Sequence, residues 1–305
     1  MNRVLHESAH LARQLARCGH FAVLLAAGRT RLVLRPPPHA GDLALEPVSG
    51  LLDARHIPLL APWTRDMGGF RPELRAMLRE HREVRAWEYG WLLHGLPLRS
   101  SRVLDVGCGP SFFPGYLRRR LGAQVTVLDL PQPYTVESRV LAERCQRYGI
   151  ELRTGDMRHM PLDDGQFDVV LSISVIEHLS HDPGHTCLTP REQFYEQTRR
   201  TLAEMARVLR PGGWLYLTSD AYLSGRVDFD AWTGRACAGE PYGAYPLEDL
   251  HELFPATVQS LGLELPYPVR YDQQLLVESA ERSSYRHRYM TIFNLFARKP
   301  AGASG

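Results

Sequence analysis

Two glycines and two aspartates are spaced in a way that could bind a nucleoside. The stretch VLDVGCGPS (residues 103–111) is an apolar run that contains Asp105 and ends in Gly107 and Gly109. Glycines at such a point let the backbone turn sharply and bring main-chain amides close to a ligand. Asp129 ends the next apolar run, VTVLDL, near the ~20-residue spacing at which an acidic side chain binds ribose hydroxyls. The pattern therefore predicts a nucleoside site.

The third glycine of a dinucleotide-binding loop is missing from this stretch. Ser111 stands in its place, and the bulky pair Phe112 and Phe113 follows. A third glycine lets the next helix pack closely, so that a pyrophosphate reaches the helix N-terminus. A ligand without a pyrophosphate does not need that approach. The sequence thus favours an adenosine-type nucleoside with a compact, phosphate-free tail.

Candidates for acid–base or metal chemistry cluster after a further apolar run, FDVVLSIS. The segment SISVIEHLSHDPGHTC carries five such side chains: Glu177, His178, His181, Asp182 and His185. Three interpretations stay open. His178 acts as a general base, or the group gathers around a divalent metal, or Glu177 and His178 simply pack at the start of a helix. Asp220, which ends the run WLYLTSD, is a second candidate base.

These candidates all follow strands in an alternating strand–helix pattern that begins near Arg102. The apolar runs RVLDVG, QVTVLDL, FDVVLSIS and WLYLTSD are separated by helical patterns, and YMTIFNLFARK closes the series. This order predicts an α/β fold with a doubly wound, mostly parallel sheet and helices on both faces. Ligands bind beyond the carboxyl ends of such strands. The chemistry is therefore expected after Val106, Leu128, Ser172 and Thr218.

The chain before this pattern has a different character. Residues 1–95 contain VLHESAHLARQLARCG and PELRAMLREHREVRAWEYGWLLHGL, in which apolar residues recur at helical spacing. They predict an N-terminal, mainly helical cap. The main domain is expected over residues 96–299, with a lid-like insertion at 221–246 and a disordered tail at 300–305.

Aromatic residues of the cap and the insertion are the candidates for substrate contacts. Those we predict are Trp87, Tyr89, Tyr222 and Tyr242. Trp87 and Trp91 lie four residues apart and would share a helix face. A hydrophobic seam between cap and core is the alternative explanation for both tryptophans. The insertion could equally form an oligomer contact.

The amino-acid composition argues against some classes of binding partner. The 305 residues are 44% hydrophobic, and 36 Lys and Arg nearly balance 34 Asp and Glu, which argues against a dedicated nucleic-acid or membrane-surface protein. Five scattered cysteines without a Cys-x-x-Cys pair suit a reducing cytoplasm better than a disulfide framework or a zinc site. The N-terminus has no signal-peptide pattern. We expect a cytoplasmic protein that acts on a small molecule, with its oligomeric state, homodimer included, left open.

Four stretches together resemble a known family. VLDVGCGPS, VTVLDL, GDMRHMPLDDGQFDVVLSISVIEHL and RVLRPGGWLYLTSD follow one another over about residues 100–220. They are similar to the successive motifs of class I S-adenosylmethionine-dependent methyltransferases. The resemblance implies a Rossmann-like methyltransferase fold whose last strand is antiparallel, and S-adenosyl-L-methionine as the cofactor.

The resemblance also implies residue roles. Asp105, Gly107 and Gly109 would hold the amino-acid end of the cofactor, and Asp129 would hold its ribose. Ser174 would lie beside the sulfonium, and Asp156 and Met157 would border the adenine. The full set of expected cofactor contacts is Asp105, Gly107, Cys108, Gly109, Asp129, Leu130, Asp156, Met157 and Ser174. Ser111 departs from the family pattern, which usually has glycine there.

The expected reaction is methyl transfer to a small molecule, with an oxygen acceptor favoured because His178 and Asp220 are possible bases. Ubiquinone-pathway and small-RNA 2′-O-methyltransferases read Glu-x-x-Glu-His at this point and use magnesium. Here Ser174 replaces the first glutamate, so no metal is predicted. The alternatives are an RNA methyltransferase, a non-catalytic protein that binds S-adenosylmethionine, and a nicotinamide-dependent oxidoreductase.

Overall fold

The computed structural model describes residues 24–26, 29–31, 47–52, 82–130, 136–180, 190–224, 244–271 and 290–302. Several sequence predictions fall outside these residues. They are the predicted helix at 4–19, the candidate ligands His181, Asp182 and His185, the candidate substrate contact Tyr242, and most of the predicted insertion.

The described strands form one large sheet and one small hairpin. In chain order they are β1 (Leu24–Ala26), β2 (Arg29–Arg31), β3 (Ser49–Leu51), β4 (Arg102–Val106), β5 (Gln124–Asp129), β6 (Glu151–Thr154), β7 (Phe167–Ile173), β8 (Leu209–Tyr222), β9 (Tyr245–Pro246), β10 (Val269–Arg270) and β11 (Met290–Arg298). β1 pairs with β2, and the large sheet has the order β10-β3-β11-β8-β7-β4-β5-β6, with β9 beside β8. Strands β4 to β8 are mutually parallel, and β11 runs antiparallel to β8. The predicted doubly wound, mostly parallel sheet with an antiparallel last strand is confirmed.

Helices cover both faces of this sheet. The α-helices are α1 (Arg82–Gly95), α2 (Phe113–Leu121), α3 (Val136–Tyr148), α4 (Arg191–Val208) and α5 (Thr257–Ser260). Short 3₁₀ turns span Ile176–Ser180 and Leu247–Asp249, and a π-helical turn spans Glu252–Ala256. Within the described residues, none of the helices has the length and apolar character needed to cross a membrane.

The helix bounds have local causes. Pro114 lies in the first turn of α2, where its missing N–H costs nothing, and Gly122 ends the helix in the left-handed conformation. α4 ends at Val208, earlier than the Pro-Gly-Gly at which the sequence predicts its end. The reason is that Leu209 is already extended and pairs with Phe167 at the start of β7.

Two separate cores lie on the two faces of the sheet. The side chains of Val103 and Leu171 pack with α1, α2 and α3, whereas those of Leu104 and Val170 pack with α4. Successive strand residues point to opposite faces. Asp105, two residues after Val103, therefore points to the α1 side of the sheet. In β8, Thr218 points to the α1 side and Ser219 to the α4 side for the same reason.

Two described segments of the predicted cap, β3 and α1, are joined to the main sheet. β3 pairs with β11 in the interior of the sheet order. On α1, the side chains of Trp87 and Trp91 are 1% and 0% exposed and lie in the same core as Val103. This burial agrees with the hydrophobic-seam interpretation of the two tryptophans. The sequence placed both segments in a separate region because it does not show that β3 pairs with a strand near the C-terminus.

Candidate active site

The loops after β4 and β7 meet at the centre of the sheet. From β4 the chain continues outward through β5 and β6, and then returns to build β7 and β8 on the other side. Such a reversal opens a crevice at the carboxyl ends of the strands. Gly107 has φ +68°, and a Cβ atom on it would lie 2.2 Å from Cγ2 of Val175. The two loops are thus in contact at a position that only glycine fills without strain.

The glycine loop after β4 is held by Asp129. Oδ2 of Asp129 accepts the N–H of Gly109 at 3.0 Å, and Oδ1 accepts the N–H of Leu130 at 2.8 Å. Burial raises the pKa of Asp129, and these two N–H donors oppose the rise. Gly109 has φ +52°, and a Cβ atom on it would meet no atom of the described residues within 4 Å. The loop therefore presents open space next to a carboxylate.

Asp105 is buried with an unused acceptor. Its side chain is 2% exposed, and Oδ1 has no hydrogen-bond partner among the described residues. Burial raises the pKa of Asp105 to about 8; the charge of Asp129 adds to the rise and Arg85 opposes it. Buried carboxylate oxygens are almost always hydrogen-bonded. An unpartnered one at the ligand edge of a sheet indicates a place for a donor from a ligand.

The missing third glycine of a G-x-G-x-x-G loop that begins at Gly107 falls at Phe112, one residue after the predicted Ser111. The side chain of Ser111 is itself hydrogen-bonded. Its Oγ accepts the N–H of Phe113 at 3.1 Å and lies 3.2 Å from the hydroxyl of Tyr89. The Tyr89 ring stacks on Phe113 with 4.1 Å between centroids. Tyr89 is 5% exposed, and burial raises its pKa to about 12. Tyr89, a predicted substrate contact, thus braces the glycine loop from α1.

On the other side of the crevice, Ser174 is held by residues from distant parts of the chain. Ser174 has φ +48°, unusual for a residue with a side chain. Its N–H donates to the carbonyl oxygen of Thr218 at 3.1 Å, and its Oγ donates to Oε1 of Glu88 at 2.7 Å. Oγ1 of Thr218 donates to the same carboxylate oxygen. Ser174 is therefore fixed in an uncommon backbone conformation.

Glu88 is the main residue that the sequence prediction of the site missed. Its side chain is 0% exposed, and Oε2 accepts from Nη1 of Arg85 at 2.7 Å. One feature of the sequence could have indicated that Glu88 is buried. Glu88 precedes Leu92 by four residues, and positions four apart share a helix face. Leu92 is fully buried, so an acidic residue lies on an apolar face of α1.

Glu177 and His178 behave differently, although they are adjacent in the chain. Glu177 is buried, and its Oε2 accepts from Oγ of Ser219 at 2.7 Å. Burial raises the pKa of Glu177 to about 8. His178 is exposed at the residue level, yet nearby protein desolvates its imidazole and lowers its pKa, while the charge of Asp220 acts in the opposite direction. His178 therefore presents a neutral imidazole at the edge of the crevice.

The remaining predicted site residues surround these loops. Asp156 is bound by Arg158 through both carboxylate oxygens, with Nη2 of Arg158 at 2.6 Å from Oδ2, and this interaction lowers the pKa of Asp156. Met157 is half-buried against the α4-side core. Burial raises the pKa of the Cys108 thiol. Tyr222, at the end of β8, is 8% exposed.

In the described part of the chain, no group of three or more His, Cys, Asp or Glu side chains is arranged to hold a metal ion.

Comparison with curated proteins points to methyltransferases. The chain is 37% identical over 118 residues to the phthiotriol/phenolphthiotriol dimycocerosates methyltransferase of Mycobacterium tuberculosis, a match covering 38% of this chain and 37% of that protein. It is 32% identical over 143 residues to the malonyl-[acyl-carrier protein] O-methyltransferase of Enterobacter lignolyticus, covering 46% of this chain and 48% of that protein. The matches thus span less than half the length of each relative.

The central part of the chain matches a known family of domains. A family model described as a methyltransferase domain matches residues 104–217, which run from β4 to β8 and include both loops of the crevice. This part of the chain belongs to the class I S-adenosylmethionine-dependent methyltransferases. A SAM-dependent methyltransferase from Methanosarcina mazei aligns in structure at 16% identity over 68% of this chain and 97% of that one, with a TM-score of 0.45. The strand order, rather than this alignment, defines the fold.

The residues of the methyltransferase domain fit S-adenosylmethionine, the cofactor of the family. The unpartnered Oδ1 of Asp105 is an acceptor suited to a cationic amino group. The space beside Gly109 leaves room for a ligand against the main chain. Asp129 uses one lone pair of each carboxylate oxygen on the loop amides, so each oxygen can still accept a hydroxyl.

Proposed function

We propose that this chain transfers a methyl group from S-adenosylmethionine to an oxygen atom of a small molecule. The observation that carries the proposal is the buried Asp105, with its unpartnered oxygen, beside the open glycine loop at the centre of a methyltransferase sheet. A sugar or an oxygenated secondary metabolite is the class of acceptor we favour.

The protein's part in this reaction is mainly placement. Bound S-adenosylmethionine supplies an activated methyl group on a sulfonium. Holding two reactants in line can supply about 7–11 kcal/mol of the barrier, whereas a general base contributes about 10²–10⁴-fold. In our proposal Asp105, Gly109 and Asp129 hold the cofactor, and Ser174 borders the reacting end of the crevice.

A hydroxyl acceptor needs a group that takes its proton, and His178 is our candidate. Its lowered pKa keeps the imidazole neutral near pH 7, and it lies at the exposed edge of the crevice. Asp220 stabilises the imidazolium that forms when the proton is taken, because its charge raises the pKa of His178. The relative from Enterobacter lignolyticus is named as an O-methyltransferase, which agrees with an oxygen acceptor.

The structure gives the nicotinamide alternative little support. Phe112, at the place of the missing third glycine, is 5% exposed, Phe113 is 0% exposed, and Ser111 is engaged with Tyr89. The space through which a pyrophosphate would approach the helix N-terminus is therefore filled by the protein's own side chains. An RNA substrate is disfavoured by the near balance of 36 basic and 34 acidic residues.

The proposal is tested by methyl labelling. The purified chain is incubated with methyl-labelled S-adenosylmethionine and, in parallel, with the small-molecule pool or the total RNA of its native cell, and the labelled product is identified by mass spectrometry. A labelled small molecule whose new methyl group is an ether or ester supports the proposal. Label only in RNA, an N- or C-methyl product, or calorimetric binding of NADH without binding of S-adenosylmethionine would each contradict it.

A further inference from the structure

Helix α1, which lies outside the part matched by the family model, reaches the crevice through one buried carboxylate. Glu88 stands 86 residues before Ser174 and 130 before Thr218, yet one of its oxygens accepts from both hydroxyls. The hydroxyl of Tyr216 donates to the main-chain oxygen of Glu88 at 2.9 Å, which fixes the helix at this height above β8. We propose that Glu88 is a positioning residue that sets the loop after β7 for cofactor binding.

The position of Ser174 explains why such a residue is needed. Its left-handed backbone is uncommon for a residue that carries a Cβ atom, and conformations of this kind persist only where surrounding contacts impose them. Two contacts come from Thr218, through its carbonyl oxygen and its hydroxyl. The third comes from Glu88. Without it, the Ser174 hydroxyl and the Thr218 hydroxyl both lose their common acceptor.

The effect of Glu88 extends to the glycine loop. The residue after Ser174 is Val175, whose side chain occupies the space where a Cβ atom of Gly107 would lie. A shift of Ser174 therefore moves the side chain against which Gly107 packs. Gly107 lies between Asp105 and Gly109 in the chain, so the shift reaches both of them. Arg85 pairs with the second oxygen of Glu88, and this pairing lowers the cost of burying the carboxylate.

This inference deepens the proposed function and rests on it for one of its two measurements. The variants are Glu88→Ala, Glu88→Gln and, as a matched control, Asp168→Ala. Glutamine keeps an oxygen that accepts from Ser174 and Thr218, whereas alanine removes it. Asp168, like Glu88, accepts a hydrogen bond from a neighbouring element, here from the N–H of Arg102 at 2.6 Å, but it is only partly buried and lies at the opposite, amino end of β7.

The first measurement needs no ligand. Hydrogen–deuterium exchange is followed in the free protein for peptides that contain residues 173–177. We expect Glu88→Ala to exchange about tenfold faster or more in this segment, while Glu88→Gln and Asp168→Ala remain close to the wild type there. Unchanged exchange in Glu88→Ala, or equal acceleration in Asp168→Ala, would overturn the inference whether or not the protein binds S-adenosylmethionine.

The second measurement is calorimetric affinity for S-adenosylmethionine and S-adenosylhomocysteine, taken well below the melting temperature of each variant. Glu88→Ala should weaken both by about tenfold or more, the size expected when two buried hydroxyls lose their common acceptor, and Glu88→Gln should restore most of the affinity. Asp168→Ala should leave both affinities unchanged. Equal weakening by Gln and Ala would contradict positioning through the shared oxygen, whereas no binding by the wild type would contradict the proposed function alone.

Discussion

The two loops of the crevice are built in contrasting ways. The glycine loop after β4 is held by Asp129 and Ser111, which accept from the N–H groups of residues 20 and 2 positions away in the chain. The loop after β7 is held by Glu88, Thr218 and Ser219, which lie between 42 and 130 residues from the side chains they bind. A short sequence motif can specify the first arrangement, but only the packed sheet brings the second together.

The largest expected effect lies where the two loops touch. Gly107→Ala should destabilise the protein by about 2–5 kcal/mol, because it adds left-handed backbone strain of about 1–2 kcal/mol and overpacking of about 1–3 kcal/mol against Val175. Gly109→Ala has the same backbone strain but open space around its Cβ atom, so we expect about 1–2 kcal/mol. Urea unfolding measures both.

The contact itself is tested by adding Val175→Ala to Gly107→Ala. The second change should recover most of the packing loss, so that the double variant approaches the Gly109→Ala value. Equal losses for the two single variants, or no recovery in the double variant, would show that the loops do not depend on each other at Gly107.

On the β7 side, His178 is expected to control turnover rather than cofactor affinity. If His178 takes the proton of the acceptor, His178→Ala should lower kcat about 10²-fold or more and leave calorimetric affinity for S-adenosylmethionine within about twofold. Asp220→Asn removes the charge that raises the pKa of His178, so the acidic limb of the kcat profile should shift to lower pH. Near-normal turnover of His178→Ala would favour the simple packing role instead.

On the β4 side, Asp129 is expected to affect cofactor affinity rather than turnover. Asp129→Ala removes a carboxylate that accepts from Gly109 and Leu130 and that, in our proposal, also binds the ribose. Cofactor affinity should fall by about 1.5–3 kcal/mol, while kcat at saturating cofactor stays close to the wild-type value. Isothermal calorimetry measures the first and initial-rate kinetics the second. An unchanged affinity would remove Asp129 from the cofactor site.

The smallest expected effect is the change of cofactor affinity with pH. The pKa of Asp105 is raised to about 8 by burial, so the free protein carries a proton on this group at neutral pH. A cationic cofactor group binds the carboxylate, so binding must displace that proton. Affinity should therefore fall by up to about tenfold per pH unit below pH 8 and level off above it.

Calorimetry between pH 6 and pH 9 gives this profile, and buffers with different ionisation heats report the released proton. Asp105→Asn cannot titrate and should give weak, pH-independent affinity. A flat profile in the wild type would mean that Asp105 does not meet a cationic group of the cofactor.

Much of the fold was predictable because its signals are local. Apolar β-branched runs mark β4, β5 and β7, and a proline and a glycine bound α2. β6 was missed because its four residues are exposed at the sheet edge and carry no apolar pattern. Its place follows from pairing with β5, from Thr126 opposite Glu151 to Asp129 opposite Thr154.

The sequence by itself determined which residue types stand on the β4 side of the crevice. Residue type and spacing predict the turn at Gly107 and the carboxylates of Asp105 and Asp129. The rule that ligands bind at the carboxyl ends of parallel strands predicts where these residues lie. Only the tertiary structure decided that Glu88 reaches Ser174, that Glu177 is buried beside Ser219 and that Tyr89 braces Ser111. The reason is that hydrogen bonds between distant segments depend on how α1 and the sheet pack, and spacing along the chain does not encode that packing.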